Sequence, residues 1–176
     1  GFFRVLYDER NFVQLTAAFA RLDHADQLGL LLDYWAFGRS GDARFTDYLE
    51  LVSHLPADAD PVIVMDTAAS IIALANYAEE RPSHTAVRAY GRAFLRPYFD
   101  RLGWTPGSGE NSNTTKLRAE LIQALGGLGD AAIIAEARTR LQGGEAGPAA
   151  VHQRCGFGGL RLREFGAVPA RAAHSS

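Results

Sequence analysis

The sequence predicts an all-α fold, an α/α superhelix of helix pairs preceded by a short residual strand. Three features of its 176 residues carry that prediction. Apolar residues recur three or four apart in about seven segments, the spacing of one helical face. Most segments begin at Asp, Asn or Ser and stop at Gly or Pro, the residues that start and end helices. Each apolar stripe is one-sided, so every helix has to bury it against a neighbour.

The opening octet, "GFFRVLYD", is aromatic and β-rich and has no helical spacing. It is expected to be the last strand of something missing from this chain, over residues 1–8. Residues 9–142 form the helical region. Phe12, Leu15, Phe19 and Leu22 give a first helix over about 9–22. Asp23 is placed to cap the second, with Asp26 three residues on as an acidic variant of the capping box. Its stripe is Leu28, Leu31, Leu32 and Trp35, and "GRSG" ends it.

A third helix over about 45–55 carries Phe45, Tyr48, Leu49 and Val52 and stops at Pro56. Asp60 as cap and Pro61 at the first position start a fourth, with Met65, Ala68, Ile72 and Ala75 on one face. Ser83 is expected to cap a fifth, along Val87, Tyr90, Phe94, Tyr98 and Leu102, kinked at Pro97. After the turn-rich "GWTPGSGENSN", Asn113 or Thr114 opens a sixth, with Leu117, Leu121 and Leu125, closed by Gly126 and Gly127. Asp130 caps the last, with Ile133, Ile134, Ala137 and Leu141, closed by Gly143 and Gly144. Helix pairs without a fixed sequence period suggest stacking of the HEAT or armadillo kind. Residues 143–176 hold seven glycines and scattered arginines without a sustained stripe, so an irregular or disordered tail is expected there.

Composition narrows the function classes. Hydrophobic residues are 47% and charged residues 22%, ordinary for a globular domain. A formal charge of −2 makes no case for nucleic acid or an anionic membrane as partner. The most apolar run, "PVIVMDTAASIIALANY", contains Asp66 and falls short of the ~20 residues that span a bilayer. Cys155 is the only cysteine, which excludes an internal disulfide and leaves the compartment open between cytoplasm and bacterial periplasm.

No catalytic constellation emerges. His24, His54, His84, His152 and His174 include no pair one helical turn apart, and there is no H-E-x-x-H. "GRSGD" and "TPGSGEN" place Ser between glycines without the strand and spacing of a nucleophile elbow. Cys155 with His152 lies in the glycine-rich tail, where nothing fixes a nucleophile against a base. "GFGG" follows no strand and opens no strong helix, so it does not suggest a phosphate cradle. The acidic residues mostly stand where helix starts favour them.

The octet gains a meaning by resemblance. "GFFRVLYD" resembles the G-Y/F-Y/F-R-V-x-Y-D signature of zinc aminopeptidases of the aminopeptidase N family, where it leads from a β-sandwich into the C-terminal helical domain of the endoplasmic-reticulum aminopeptidase type. Further stretches follow in the family's order. "LDHADQLGLLLDYWAFGRSG" is similar to its D-R-x-x-L-L-x-D-x-x-x-L-x-x-x-G hairpin, and "TDYLELVSHLPADADPVIV" to the next pair. "RAFLRPYFDRLGWTPGSGENSNTTKLRAELIQALGGLGDAAIIAEARTRL" resembles the stretch with L-G-W, G-E and L-R and then G-D before an A-x-A-R helix. Where the family often has a Trp after the "DPVIV" helix start, this chain has Met65.

The resemblance implies a non-catalytic helical domain that caps the active site of a zinc aminopeptidase, an enzyme removing N-terminal residues from peptides, and forms its substrate cavity. It places the catalytic groups and zinc ligands upstream, so no catalytic or metal residue is assigned here, and zinc is expected for the full-length enzyme only. The expected partners are the upstream catalytic and β-sandwich domains and peptide substrates. Glu110, Asn111 and Arg118 match the G-E…L-R stretch and are expected at the substrate cavity, or else Glu110 and Asn111 cap a helix and Arg118 is solvated or structurally paired. Arg4, Tyr7 and Asp8 are expected at the domain junction. The family's helical domain usually continues further, so the chain is expected to be a fragment, with residues from about 146 onward translated out of frame or truncated. The competing reading is a stand-alone helical-repeat adaptor, which has no use for an orphan strand and needs a polar capping repeat.

Overall fold

A computed structural model of the chain describes residues 3–143. Seven α-helices follow one another among the described residues, with no strand: α1 Glu9–Ala18, α2 His24–Ser40, α3 Phe45–Ser53, α4 Pro61–Tyr77, α5 His84–Leu102, α6 Ser112–Gly127 and α7 Ala131–Gln142. The fold is all-α. Residues 3–8, expected to end a strand, form neither helix nor strand, since a strand exists only through pairing. The expected tail lies outside the described residues apart from Gly143, which caps α7.

Local chemistry sets most helix starts. The carboxylates of Asp8, Asp23 and Asp60 accept from the backbone N–H groups of Asn11, Asp26 and Val62 at 2.8, 2.9 and 2.8 Å. Each satisfies a donor that the first helical turn leaves free. Asp130 accepts from the N–H groups of both Ala132 and Ile133 at 3.1 Å. Two starts differ from expectation. Ser83 precedes α5 but makes no capping bond, because its backbone is already helical rather than extended. The α6 cap is Asn111, whose side chain accepts from Thr114 N–H at 2.9 Å, so the helix begins before Asn113. Pro97 lies inside α5, which continues to Leu102.

Consecutive helices pair, as α2 with α3, α4 with α5, and α6 with α7, while α2 touches α4 and α4 touches α6. Contacts between alternate helices are what stacked helix pairs produce. The central element is α4, buried through Ile63, Val64, Thr67, Ala68, Ser70, Ile71, Leu74 and Ala75. One core joins Ile63, Val64, Ala68, Ile71 and Ala75 of α4 to Phe19, Leu31, Leu51, Leu95, Leu117, Leu121 and Leu125. Each such apolar side chain contributes about 2 kcal/mol on leaving water.

Several stripes sit differently from their predicted centres. On α2 the buried positions are Gln27, Leu31 and Tyr34, whereas Leu32 stays 43% exposed. On α5 the deepest residues are Leu95, Phe99 and the predicted Tyr98, whereas Val87, Tyr90, Phe94 and Leu102 pack at the margin of the core. The cause is two-sided contact: α5 touches both α4 and α6, so the face between them is the one that closes. Gly91 permits this approach, since a Cβ there would fall 2.6 Å from Ile71 Cγ2 and 2.8 Å from Leu128 Cδ1. On α7 only Ile133 is buried, and Leu141 is 79% exposed. Met65 and Trp35 are half-buried against the core.

Candidate functional site

The three residues expected at a cavity come together where α5 passes into α6. Arg118 sits on the second turn of α6 with its side chain 2% exposed. Its Nη1 donates to Glu110 Oε2 at 2.5 Å and its Nη2 to Glu110 Oε1, forming a two-pronged pair. Its Nε donates to the Gly103 carbonyl at 3.0 Å, and Nη2 to that of Leu102 at 3.3 Å. These carbonyls end α5, where a cation also meets the negative end of the helix dipole. The Arg118 bonds hold the Glu110 carboxyl below the usual range, assisted by the Thr115 hydroxyl at 3.1 Å. Asn111 serves as the α6 cap. The arrangement fixes the loop 103–111 at both ends and carries no nucleophile.

Arg4, Tyr7 and Asp8 belong to the segment that lies along α2. Arg4 Nε stands 3.5 Å from Asp33 Oδ1, and the Val5 N–H donates to Asp33 Oδ2 at 3.3 Å. Tyr7 lies beside Tyr34, and Asp8 caps α1. One carboxylate, Asp33, therefore holds the opening segment to the second helix.

A third polar group was not anticipated from the sequence. Arg88, Arg92 and Arg96 stand one turn apart on α5 and clamp the turn between α6 and α7. Arg88 donates to the carbonyls of Leu128 at 3.2 Å and Gly127 at 2.8 Å, and Arg92 to that of Leu128 at 2.7 Å. Arg96 reaches Asp130 at 3.2 Å and pairs with Asp100 at 2.7 Å. The i, i+4, i+8 spacing of three arginines was the available signal. Their acceptors are mostly backbone oxygens, which no residue pattern marks.

The histidines are dispersed. His24 stands 3.6 Å from Asp60, and His54 stands 3.9 Å from Glu50 within the same helix. No three metal-ligating side chains converge among the described residues, so those residues do not fit a zinc site. Cys155, His152 and His174 lie outside the described residues. Among the described residues no helix is long and apolar enough to cross a membrane.

Comparison with known proteins finds similarity to much longer chains. Aminopeptidase M1-A of Oryza sativa subsp. japonica is 32% identical over 145 residues, covering 80% of this chain and 16% of that protein. Tricorn protease-interacting factor F2 of Thermoplasma volcanium is 31% identical over 125 residues, covering 71% of this chain and 16% of that factor. Its counterpart from Thermoplasma acidophilum is 29% identical over 125 residues. The chain thus spans 16% of the length of these relatives. The profile of one domain family matches residues 1–155, and on that match the chain belongs to the ERAP1-like C-terminal domain family.

Proposed function

We propose that this chain serves as the non-catalytic helical C-terminal domain of a zinc aminopeptidase that removes N-terminal residues from peptides, capping its active site and walling the substrate cavity. The observation that carries this reading is the similarity to Aminopeptidase M1-A along 80% of the chain. The helical stack supports it, because paired helices of this kind make extended walls rather than enclosed reaction centres. Zinc and the groups that act with it would then be supplied by another part of the same polypeptide.

Within this reading residues 1–8 are the junction, held by Arg4 and Asp33, and residues 9–142 are the wall. Glu110, Asn111 and Arg118 shape the cavity by fixing the loop 103–111. Arg118 acts as a positioning residue, since its donors are already engaged by Glu110 and the end of α5. The test is to sequence the coding DNA on both sides of this segment. An in-frame H-E-x-x-H upstream, followed by zinc-dependent release of N-terminal residues by the expressed polypeptide, is expected. A start codon directly before Gly1 with no such motif would replace this reading with the stand-alone adaptor.

A further inference from the structure

Asp33 holds the opening segment along α2, through Arg4 at 3.5 Å and the Val5 N–H at 3.3 Å. The segment so held carries its apolar side chains in water: Phe3 is 91% exposed, Val5 49% and Leu6 47%. Leu32, next to Asp33 on α2, is 43% exposed although it belongs to an apolar helical stripe. An open groove of about 420 Å³ lies where the segment meets α2, walled by Arg4 and by Leu32, Trp35, Ala36 and Arg39. Exposed apolar residues gathered in one place, unlike single ones, mark a surface made for contact.

Position and charge identify what covers it. One wall of the groove is the opening segment itself, to which any preceding part of the polypeptide is joined, so that part meets the groove at high effective concentration. The chain spans 16% of the length of its relatives and belongs to a family of C-terminal domains, which leaves a large preceding portion in such proteins. Arg39 is exposed and has no ion pair or hydrogen bond among the described residues, whereas Arg4 is shared with Asp33. The matching surface is apolar at its centre and presents a carboxylate to Arg39.

We infer that this groove and the exposed side of residues 3–6 are the docking surface for the part of the polypeptide that precedes this domain. The inference rests on the reading above, in which such a part belongs to the same chain. Docking adds a second contact to the covalent link, so the helical wall is held at a set angle instead of swinging on a linker.

Hydroxyl-radical footprinting of this chain and of the in-frame longer polypeptide tests it. Labelling of Phe3 and Leu32 is expected to fall about fivefold in the longer polypeptide, because the centre of an interface packs as densely as a protein interior. The double substitution Leu32→Glu with Arg39→Glu is expected to restore that labelling. It should leave the helical circular dichroism of the short chain unchanged, since both positions are exposed. Unchanged labelling in a longer polypeptide that releases N-terminal residues from peptides overturns this inference and leaves the aminopeptidase reading in place. Protection without that release supports the docking surface and counts against the aminopeptidase reading. Retained protection in the folded double variant overturns the assignment to this groove. Protection that grows with concentration in the short chain alone assigns the face to a second copy and overturns it too, and the absence of any in-frame extension overturns both readings.

Discussion

Arg118 and Glu110 form a two-pronged ion pair across the start of α6, with 2% and 13% of their side chains exposed. The same guanidinium bonds the carbonyls of Leu102 and Gly103, so one cation holds the end of α5 and the loop that leaves it. Replacing Arg118 with Ala strands a carboxylate and two carbonyls in a covered place, and is expected to cost about 2–3 kcal/mol. Arg118→Lys keeps the charge but loses the fork, and should recover only part of that stability. Urea unfolding of the three proteins checks the order.

The same pair makes stability depend on pH in the acid range. Glu110 is held below its ordinary value of 4.5, chiefly by its bonds to Arg118. A carboxyl lowered in the folded state stabilises the fold above the unfolded value and loses that contribution as pH falls through the folded one. The advantage of the wild type over Glu110→Gln is therefore expected to be full at neutral pH. It should shrink once pH falls below about 4.5 and vanish below the folded value. Denaturant midpoints of both proteins along a pH series provide the measurement. A difference independent of pH would show that the pair contributes nothing electrostatic.

Alkaline pH should act through buried tyrosines. Burial pushes the phenols of Tyr48 and Tyr98 up to about 12 from 10.0, and that of Tyr90 upward too. Unfolding frees these phenols to ionise, so stability is expected to fall as pH rises between about 10 and 12. Tyrosinate absorbance should then rise together with loss of the helical signal. Replacing Tyr90 with Phe tests a separate contribution: its hydroxyl donates to the Leu49 carbonyl at 2.7 Å, linking α5 to the middle of α3. That change is expected to cost about 1 kcal/mol.

Gly91 is the tightest point of the α5 contact. Alanine would gain helix propensity of about 1 kcal/mol. Its methyl would meet Ile71 Cγ2 at 2.6 Å, on a β-branched side chain with little freedom to turn away. Overpacking of this kind costs about 1–3 kcal/mol, so Gly91→Ala is expected to be net destabilising by about 1 kcal/mol or more. Thermal unfolding reads the sign.

Asp130 combines two roles that substitutions separate. It caps α7 through two backbone N–H groups and also receives Arg96. Asp130→Ala loses both and is expected to cost about 1–2 kcal/mol, whereas Asp130→Asn keeps the cap and should cost a few tenths. Equal losses in chemical unfolding would assign the whole effect to the ion pair.

The helix boundaries were legible because their causes are local. Asp23, Asp60 and Asp130, read as caps, do cap helices through N–H groups only two or three residues away, and Asp8, read only as a junction residue, caps α1 in the same way. The α6 stripe of Leu117, Leu121 and Leu125 is buried throughout, as its spacing predicted. Where packing rather than periodicity decides, the same reasoning slipped. Leu32 matches the α2 stripe and lies outside it, while Gln27 is buried and donates to the Phe19 carbonyl at 3.1 Å. Ser83 has the right side chain for a cap and the wrong backbone angle for one.

The sequence alone determined that this chain is a run of capped, one-sided helices, and its short motifs pointed to the family. Both rest on residues close together along the chain. Tertiary structure decided which faces close and where the charges go. Arg118 meets Glu110 and two carbonyls, and Arg88, Arg92 and Arg96 meet the turn after α6, only because packed helices bring groups distant in sequence within hydrogen-bond range. Cβ spacing along one helix cannot encode a partner supplied by another helix, and a backbone carbonyl leaves no mark in the residue pattern.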